Sequence, residues 1–159
     1  VSDLTHVDES GAARMVDVTG KAVTSRVAVA TGLVNTTAEV VGLLASNGLK
    51  KGDALAVARI AGIMGAKKTP DLVPLCHPLA ITGVTVDFDL GTESVAITAT
   101  VRTSGQTGVE MEALTAVAVA GLTLHDMIKA VDPAAVLSDV RVERKEGGKT
   151  GVWNRPEGR

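Results

Sequence analysis

A chain of 159 residues lies in the size range of one domain and can bury roughly 70% of the surface its unfolded form exposes, so it needs no staple to fold. Sixteen Lys and Arg against eighteen Asp and Glu leave a formal charge of −2, which excludes a broad electrostatic attraction to nucleic acid; any phosphate must be held locally. The single cysteine, Cys76, excludes an intramolecular disulfide, the three histidines have no structural-zinc spacing, and a reducing, cytoplasmic setting fits best.

From the start, Val1 to His6 carries no basic-then-apolar signal pattern, and no uninterrupted apolar run is long enough to mark a membrane span. Residues 1 to about 15 show no clear period, and 147–159, with Gly147-Gly148 and Pro156, look equally loop-like, so both ends are expected to be flexible parts of a single domain covering 1–159. Ala22 to Val34 alternates Val27, Val29 and Leu33 with small or polar partners, the period of a half-buried strand. Thr36 is expected to cap a helix that carries Val40, Val41, Leu43 and Leu44 and stops at Asn47-Gly48. Asp53 caps the next, where Leu55, Val57, Ile60 and Ile63 are expected to face a core before Lys67, Lys68 and Pro70 end it.

Val84–Leu90 and Val95–Val101 alternate strictly around Gly91–Ser94, which predicts an antiparallel hairpin. A long helix over Val109–Val131 follows, with Met111, Leu114, Ala118, Leu122 and Ile128 near helical spacing and Pro133 closing it; Asp139–Lys145 reads as a last strand. The order strand, two helices, hairpin, helix, strand predicts an α+β fold: a ferredoxin-like split βαβ arrangement with an antiparallel sheet and an additional helix. Phe88 and Trp153 are the only aromatics. A core of Ala, Val, Leu and Ile therefore has little area per residue, and contacts between subunits are expected to add what it lacks.

Two prolines stiffen Pro74-Leu-Cys-His-Pro78 around His77, which suits an imidazole that must meet a substrate; an idle loop histidine is the plainer reading. Glu110 and Glu112 fall in the first turn of the long helix, where the dipole stabilises carboxylates, and their spacing points them to different faces. Asp126 and Lys129 are spaced for a surface ion pair, yet Asp126 lies on almost the same face as Glu112, about 21 Å along the helix. If both act in catalysis, the natural arrangement is a site shared between subunits. Arg26, Lys51, Lys67 and Lys149 are scattered cations, each ordinarily a solvated charge. Gly148-Lys-Thr150 is not a phosphate loop, because Glu143 stands where that motif needs Gly, although Gly147, Gly148 and Lys149 could wrap a phosphate.

Leu4-Thr-His6, Met15–Val18, Lys51-Gly-Asp53, Ala58–Gly62, Asp71–Pro78, Thr107–Thr115 and Gly147-Gly-Lys149, in this order, resemble the molybdenum cofactor biosynthesis protein C family, the cyclic pyranopterin monophosphate synthases. The resemblance covers nearly the whole chain. It implies a lyase that converts a 3′,8-cyclised dihydroguanosine triphosphate into cyclic pyranopterin monophosphate and releases diphosphate. It also implies catalytic roles for Asp126 and Lys129, with substrate bound by Leu75, Cys76, His77, Met111, Glu112, Arg26, Lys51, Lys67 and Lys149. The family is ferredoxin-like and hexameric, a trimer of dimers with sites between subunits. Gln106 stands where a basic residue is common in the family, and His125 where an aromatic is. No residue cluster requires a metal or other cofactor, although Mg could accompany the diphosphate, and neither nucleic acid nor a membrane is expected as partner. The rival reading is a ferredoxin-like module for small ligands or RNA without catalysis, but Phe88 alone cannot supply the stacking platform RNA needs. A third is an assembly protein that has lost catalysis.

Overall fold

The computed structural model describes residues 5–159; Leu4, part of the resemblance, lies outside them. The elements follow as β1 (Thr24–Asn35), α1 (Ala38–Ala45), α2 (Ala54–Lys67), α3 (Thr69–Leu72), β2 (Ile81–Leu90), β3 (Ser94–Gly105), α4 (Glu110–Ile128), β4 (Val136–Glu146) and β5 (Val152–Asn154). They build one antiparallel sheet in the order β2-β3-β1-β4-β5. The first four strands of that order form the split βαβ arrangement, and β5 adds an edge strand within the C-terminal stretch that looks loop-like in sequence. The short run Val152-Trp-Asn154 is too brief for a period of its own and forms a strand because β4 offers it a free edge.

Local chemistry explains where elements begin and end. Thr37, not Thr36, caps α1, its side chain accepting from the Val40 amide at 3.2 Å; Thr36 instead donates its hydroxyl to Asp132 Oδ2 at 2.7 Å. Asn47 takes the left-handed conformation (φ 54°) that ends this segment. Asp53 caps α2 by accepting from the Ala56 amide at 3.0 Å. Beyond Ile128 the chain turns through Asp132, which is buried and accepts from the Ala134 amide at 3.0 Å, so α4 stops short of Val131.

The core lies between the sheet and the layer of α2 and α4, and small residues let those layers approach. On β1 the buried face is Ala28, Ala30, Gly32 and Val34, whereas Val27, Val29 and Leu33 point to the opposite face and stay half-buried. A Cβ on Gly32 would stand 2.7 Å from Val117 of α4, and one on Gly65 of α2 would stand 2.8 Å from Val119. The same logic reverses the expected face of α2: Ala54, Ala58, Gly62, Gly65 and Ala66 are buried, Leu55 and Ile63 pack at the margin, and Val57, Ile60 and Met64 are exposed. On α4 the buried stripe is Ala113, Ala116, Val117, Ala120, Leu124 and Ile128, leaving Met111 and Leu122 outside. Compact side chains win the interior because two helices and a sheet share it, and the larger apolar residues are displaced outward.

Candidate active site

Antiparallel packing of α2 on α4 puts the chemistry at the two ends of α4. At its C-terminal end, Lys51, just before α2, reaches Asp126. The Asp126 carboxylate receives Lys129 Nζ at 2.7 Å on one oxygen and Lys51 Nζ at 3.3 Å on the other, and Lys51 also donates to the Asp126 backbone carbonyl at 2.9 Å. Hydrogen bonds from Lys129 and then Lys51, reinforced by their charges, hold the Asp126 carboxyl below the usual range. All three side chains are about half exposed, so this is an accessible ionised cluster rather than a buried structural bridge.

At the N-terminal end a cleft of about 730 Å³ opens between the segment 16–21, the loop carrying Leu75, Cys76 and His77, and Gly108, Glu110 and Met111. His77 is half-buried, with Nε2 2.5 Å from the Val16 carbonyl oxygen, so the imidazole joins the stiff loop to the N-terminal segment. Beneath the cleft lies Glu112, only 1% exposed. The Cys76 thiol donates to its Oε1 at 3.8 Å, while Oε2 has no partner among the described residues. Burial pushes the Glu112 carboxyl above its ordinary range, and burial followed by the charge of Glu112 raises the Cys76 thiol. Cys76 is therefore a protonated donor to Glu112 rather than a thiolate nucleophile.

Beside the cleft, a smaller cavity of about 200 Å³ is lined by Lys21, Arg26, Glu110, Lys145 and Gly147. Arg26 donates to the carbonyls of Gly105 at 3.0 Å and Gln106 at 3.1 Å. The tail closes on it: Gly147 and Gly148 have φ of 96° and 73°, and a Cβ on either would collide with Ser25 or Arg26. Lys149 follows these glycines and is exposed. Glu110 pairs with Lys145 at 3.0 Å, and Lys145 and Arg155 each lie 6.0 Å from the centre of the Trp153 ring.

The sequence-derived set thus divides. Leu75, Cys76, His77, Met111 and Glu112 gather at one end with Arg26 and Lys149 nearby, whereas Asp126, Lys129 and Lys51 gather at the other. Lys67 stands exposed at the C-terminus of α2, the opposite end of that helix from Lys51. Glu112 and Asp126 are fourteen residues apart on one unbroken helix, which spaces them by about 21 Å. Sequence reasoning missed Lys21, Thr107 and Lys145 as lining residues; Lys21 beside Gly20 carried a sign, a cation at a glycine turn, and Thr107 and Lys145 carried none. Among the described residues no three His, Cys, Asp or Glu side chains cluster as metal ligands.

Comparison with known proteins decides the family. A profile of the MoaC family matches residues 15–148, most of the chain. The chain belongs to the MoaC family. A MoaC relative from Streptomyces coelicolor, named cyclic pyranopterin monophosphate synthase, is 65% identical over 152 residues, covering 96% of this chain and 89% of its own. Cyclic pyranopterin monophosphate synthase 2 of Mycobacterium tuberculosis H37Rv is 63% identical over 153 residues, covering 96% and 92%. The synthase of Corynebacterium glutamicum is 62% identical over 154 residues, covering 97% and 99%.

Proposed function

We propose that this chain is a cyclic pyranopterin monophosphate synthase, a lyase of molybdenum cofactor biosynthesis that acts at a site composed from two subunits. The substrate is (8S)-3′,8-cyclo-7,8-dihydroguanosine 5′-triphosphate and the products are cyclic pyranopterin monophosphate and diphosphate. Near-complete coverage by relatives of that name supports the activity. The composite site rests on one observation: the Asp126–Lys129–Lys51 cluster and the His77–Glu112 cleft stand at opposite ends of a rigid helix.

In this reading Asp126 takes and returns protons while the purine-derived ring opens and recloses. Two ammonium groups favour its ionised form, and Lys129, at 2.7 Å, is placed to donate as Asp126 accepts. Leu75, Cys76, His77 and Met111 hold the ring system in the cleft, and Glu112, buried beneath them, acts through the Cys76 thiol. Arg26, Lys51, Lys67 and Lys149 neutralise the phosphates and the charge that develops on the departing diphosphate. A Mg ion carried by the substrate would add to the neutralisation of the diphosphate charge, beside the share supplied by these four cations. The exposed apolar stripe of Val57, Ile60 and Met64 on α2, with Leu122 on α4, fits an interface in a homohexamer built as a trimer of dimers. The setting is the cytoplasm, where Cys76 stays reduced.

An RNA-binding module is disfavoured because Arg59 lies over the Phe88 ring, 5.6 Å from its centre, and the partly buried ring packs against the core, which makes it a poor stacking platform. Product formation from the cyclised triphosphate, read by mass spectrometry, tests the activity. Asp126→Asn should retain substrate binding and lose turnover; wild-type turnover would remove Asp126 from the mechanism. The shared site is tested by co-refolding Asp126→Asn with His77→Ala, each inactive alone. Random assortment into dimers should restore about a quarter of wild-type activity, because half the dimers then contain one intact composite site. No recovery from well-mixed oligomers would place both clusters' partners within one chain.

A further inference from the structure

The segment 16–21 forms one wall of the cleft although it contains no helix or strand. It is built by local polar bonds: Asp17 accepts from the Thr19 amide at 2.9 Å and from the Thr19 hydroxyl, and the Lys21 amide donates to the Val18 carbonyl at 2.9 Å. Val16 and Val18 are half-buried, but Asp17, Thr19, Gly20 and Lys21 are exposed, so the Lys21 end of the turn depends on polar attachment. Two side chains attach it to the body. His77 meets the Val16 carbonyl, and the Gln106 amide nitrogen donates to the carbonyls of both Thr19 at 3.2 Å and Lys21 at 3.1 Å. Gln106 is itself held, since its backbone carbonyl accepts from Arg26 at 3.1 Å.

Lys21 lines both the larger cleft, with His77 and Met111, and the smaller cavity, with Arg26 and Lys145. None of the ion pairs among the described residues uses it. We infer that Gln106 is a positioning residue: by clamping the backbone on both sides of Gly20 it sets Lys21 at the junction of the two cavities, where the ammonium binds a phosphate of the substrate. Both amide hydrogens of Gln106 serve this clamp, so a carboxylate in its place would face two carbonyl oxygens with no donor.

The inference rests on the proposed reaction only for the nature of the substrate, so its test has a readout independent of turnover. Inorganic diphosphate binding is measured by calorimetry, and KM and kcat by product formation, for wild type, Gln106→Met, the nearly isosteric Gln106→Glu, Lys21→Met and the Gln106→Met/Lys21→Met double variant. Each Gln106 substitution is expected to weaken diphosphate binding and raise KM by about tenfold, the size of a lost charge-assisted contact, with kcat within about twofold of wild type. The double variant should match Lys21→Met alone, because the clamp has nothing left to position. Unchanged diphosphate affinity in both Gln106 variants, or losses that multiply in the double variant, would overturn the inference. An inactive wild type that binds diphosphate with this mutant pattern would defeat the proposed reaction and leave the clamp standing.

Discussion

Replacing Glu112 by glutamine should make the protein more stable at neutral and alkaline pH. Glu112 is 1% exposed, and among the described residues Oε1 is met only by the Cys76 thiol and Oε2 has no partner. A buried polar atom left unpaired costs about 1–3 kcal/mol, and more when charged. Glutamine keeps the shape and an acceptor for Cys76 and leaves its amide nitrogen as unpaired as Oε2 is, so the difference is the charge alone, and a gain of about 1–2 kcal/mol is expected near pH 8. In a chain this long that is about 3–6 °C in melting temperature. The sign follows from linkage. Burial raises the folded carboxyl above its unfolded value. Between those two values the native state keeps a proton that the unfolded chain has lost, so wild-type stability is greatest below the unfolded value and falls as pH rises through the folded one. The advantage of Glu112→Gln should therefore be near zero at about pH 4, grow across that window and then level off. Urea unfolding at one fixed chain concentration, repeated across pH, measures it. An advantage independent of pH, or a variant less stable at about pH 8, would refute the account of Glu112 as an uncompensated buried acid.

Two further outcomes follow from named contacts. Gly65→Ala puts a Cβ 2.8 Å from Val119 Cγ2 and 2.9 Å from its Cβ, and a branched side chain in a close helix contact cannot swing aside; destabilisation by about 1–3 kcal/mol is expected in urea unfolding, despite the better helix propensity of Ala. Lys129→Met removes the largest cause of the low Asp126 value, so the Asp126 carboxyl, followed by carbon NMR, should titrate at higher pH than in wild type; an unmoved carboxyl would mean that Lys129 does not hold it down.

Strand and helix order were legible because β2 and β3 alternate over long stretches and Asp53 and Asn47 mark helix ends. The orientation of the helices was not. In α2 the eye goes to Val57 and Ile60, yet close approach to α4 selects Ala58, Gly62 and Gly65 for the interior, a choice that exists only once the second helix is present. Glu112 looks like an ordinary first-turn carboxylate; its burial depends on the Cys76 loop lying over it from 36 residues away. Lys51 and Asp126 are 75 residues apart, so spacing pairs Asp126 with Lys129 alone and leaves out the second ammonium. The resemblance supplied the membership of the set, helical spacing already separated Glu112 from Asp126, and the fold added Lys51 to the Asp126 end and the Cys76 loop to the Glu112 end. Gln106, which departs from the family's usual basic residue, acquires a role through contacts 85 and 87 residues away.

The pairing of Trp153 with Lys145 has a practical consequence. The chain holds one tryptophan and no tyrosine, so ultraviolet emission excited in the red edge of the absorption band comes from a single indole with no background. That indole lies 6.0 Å from Lys145, which is also bonded to Glu110 at the rim of both cavities. An anion that draws Lys145 away from Glu110 changes the electric field across the ring and hence its colour. Indole emission is therefore expected to report anion arrival through Lys145, while Arg155, at the same 6.0 Å, supplies a second charge beside the ring.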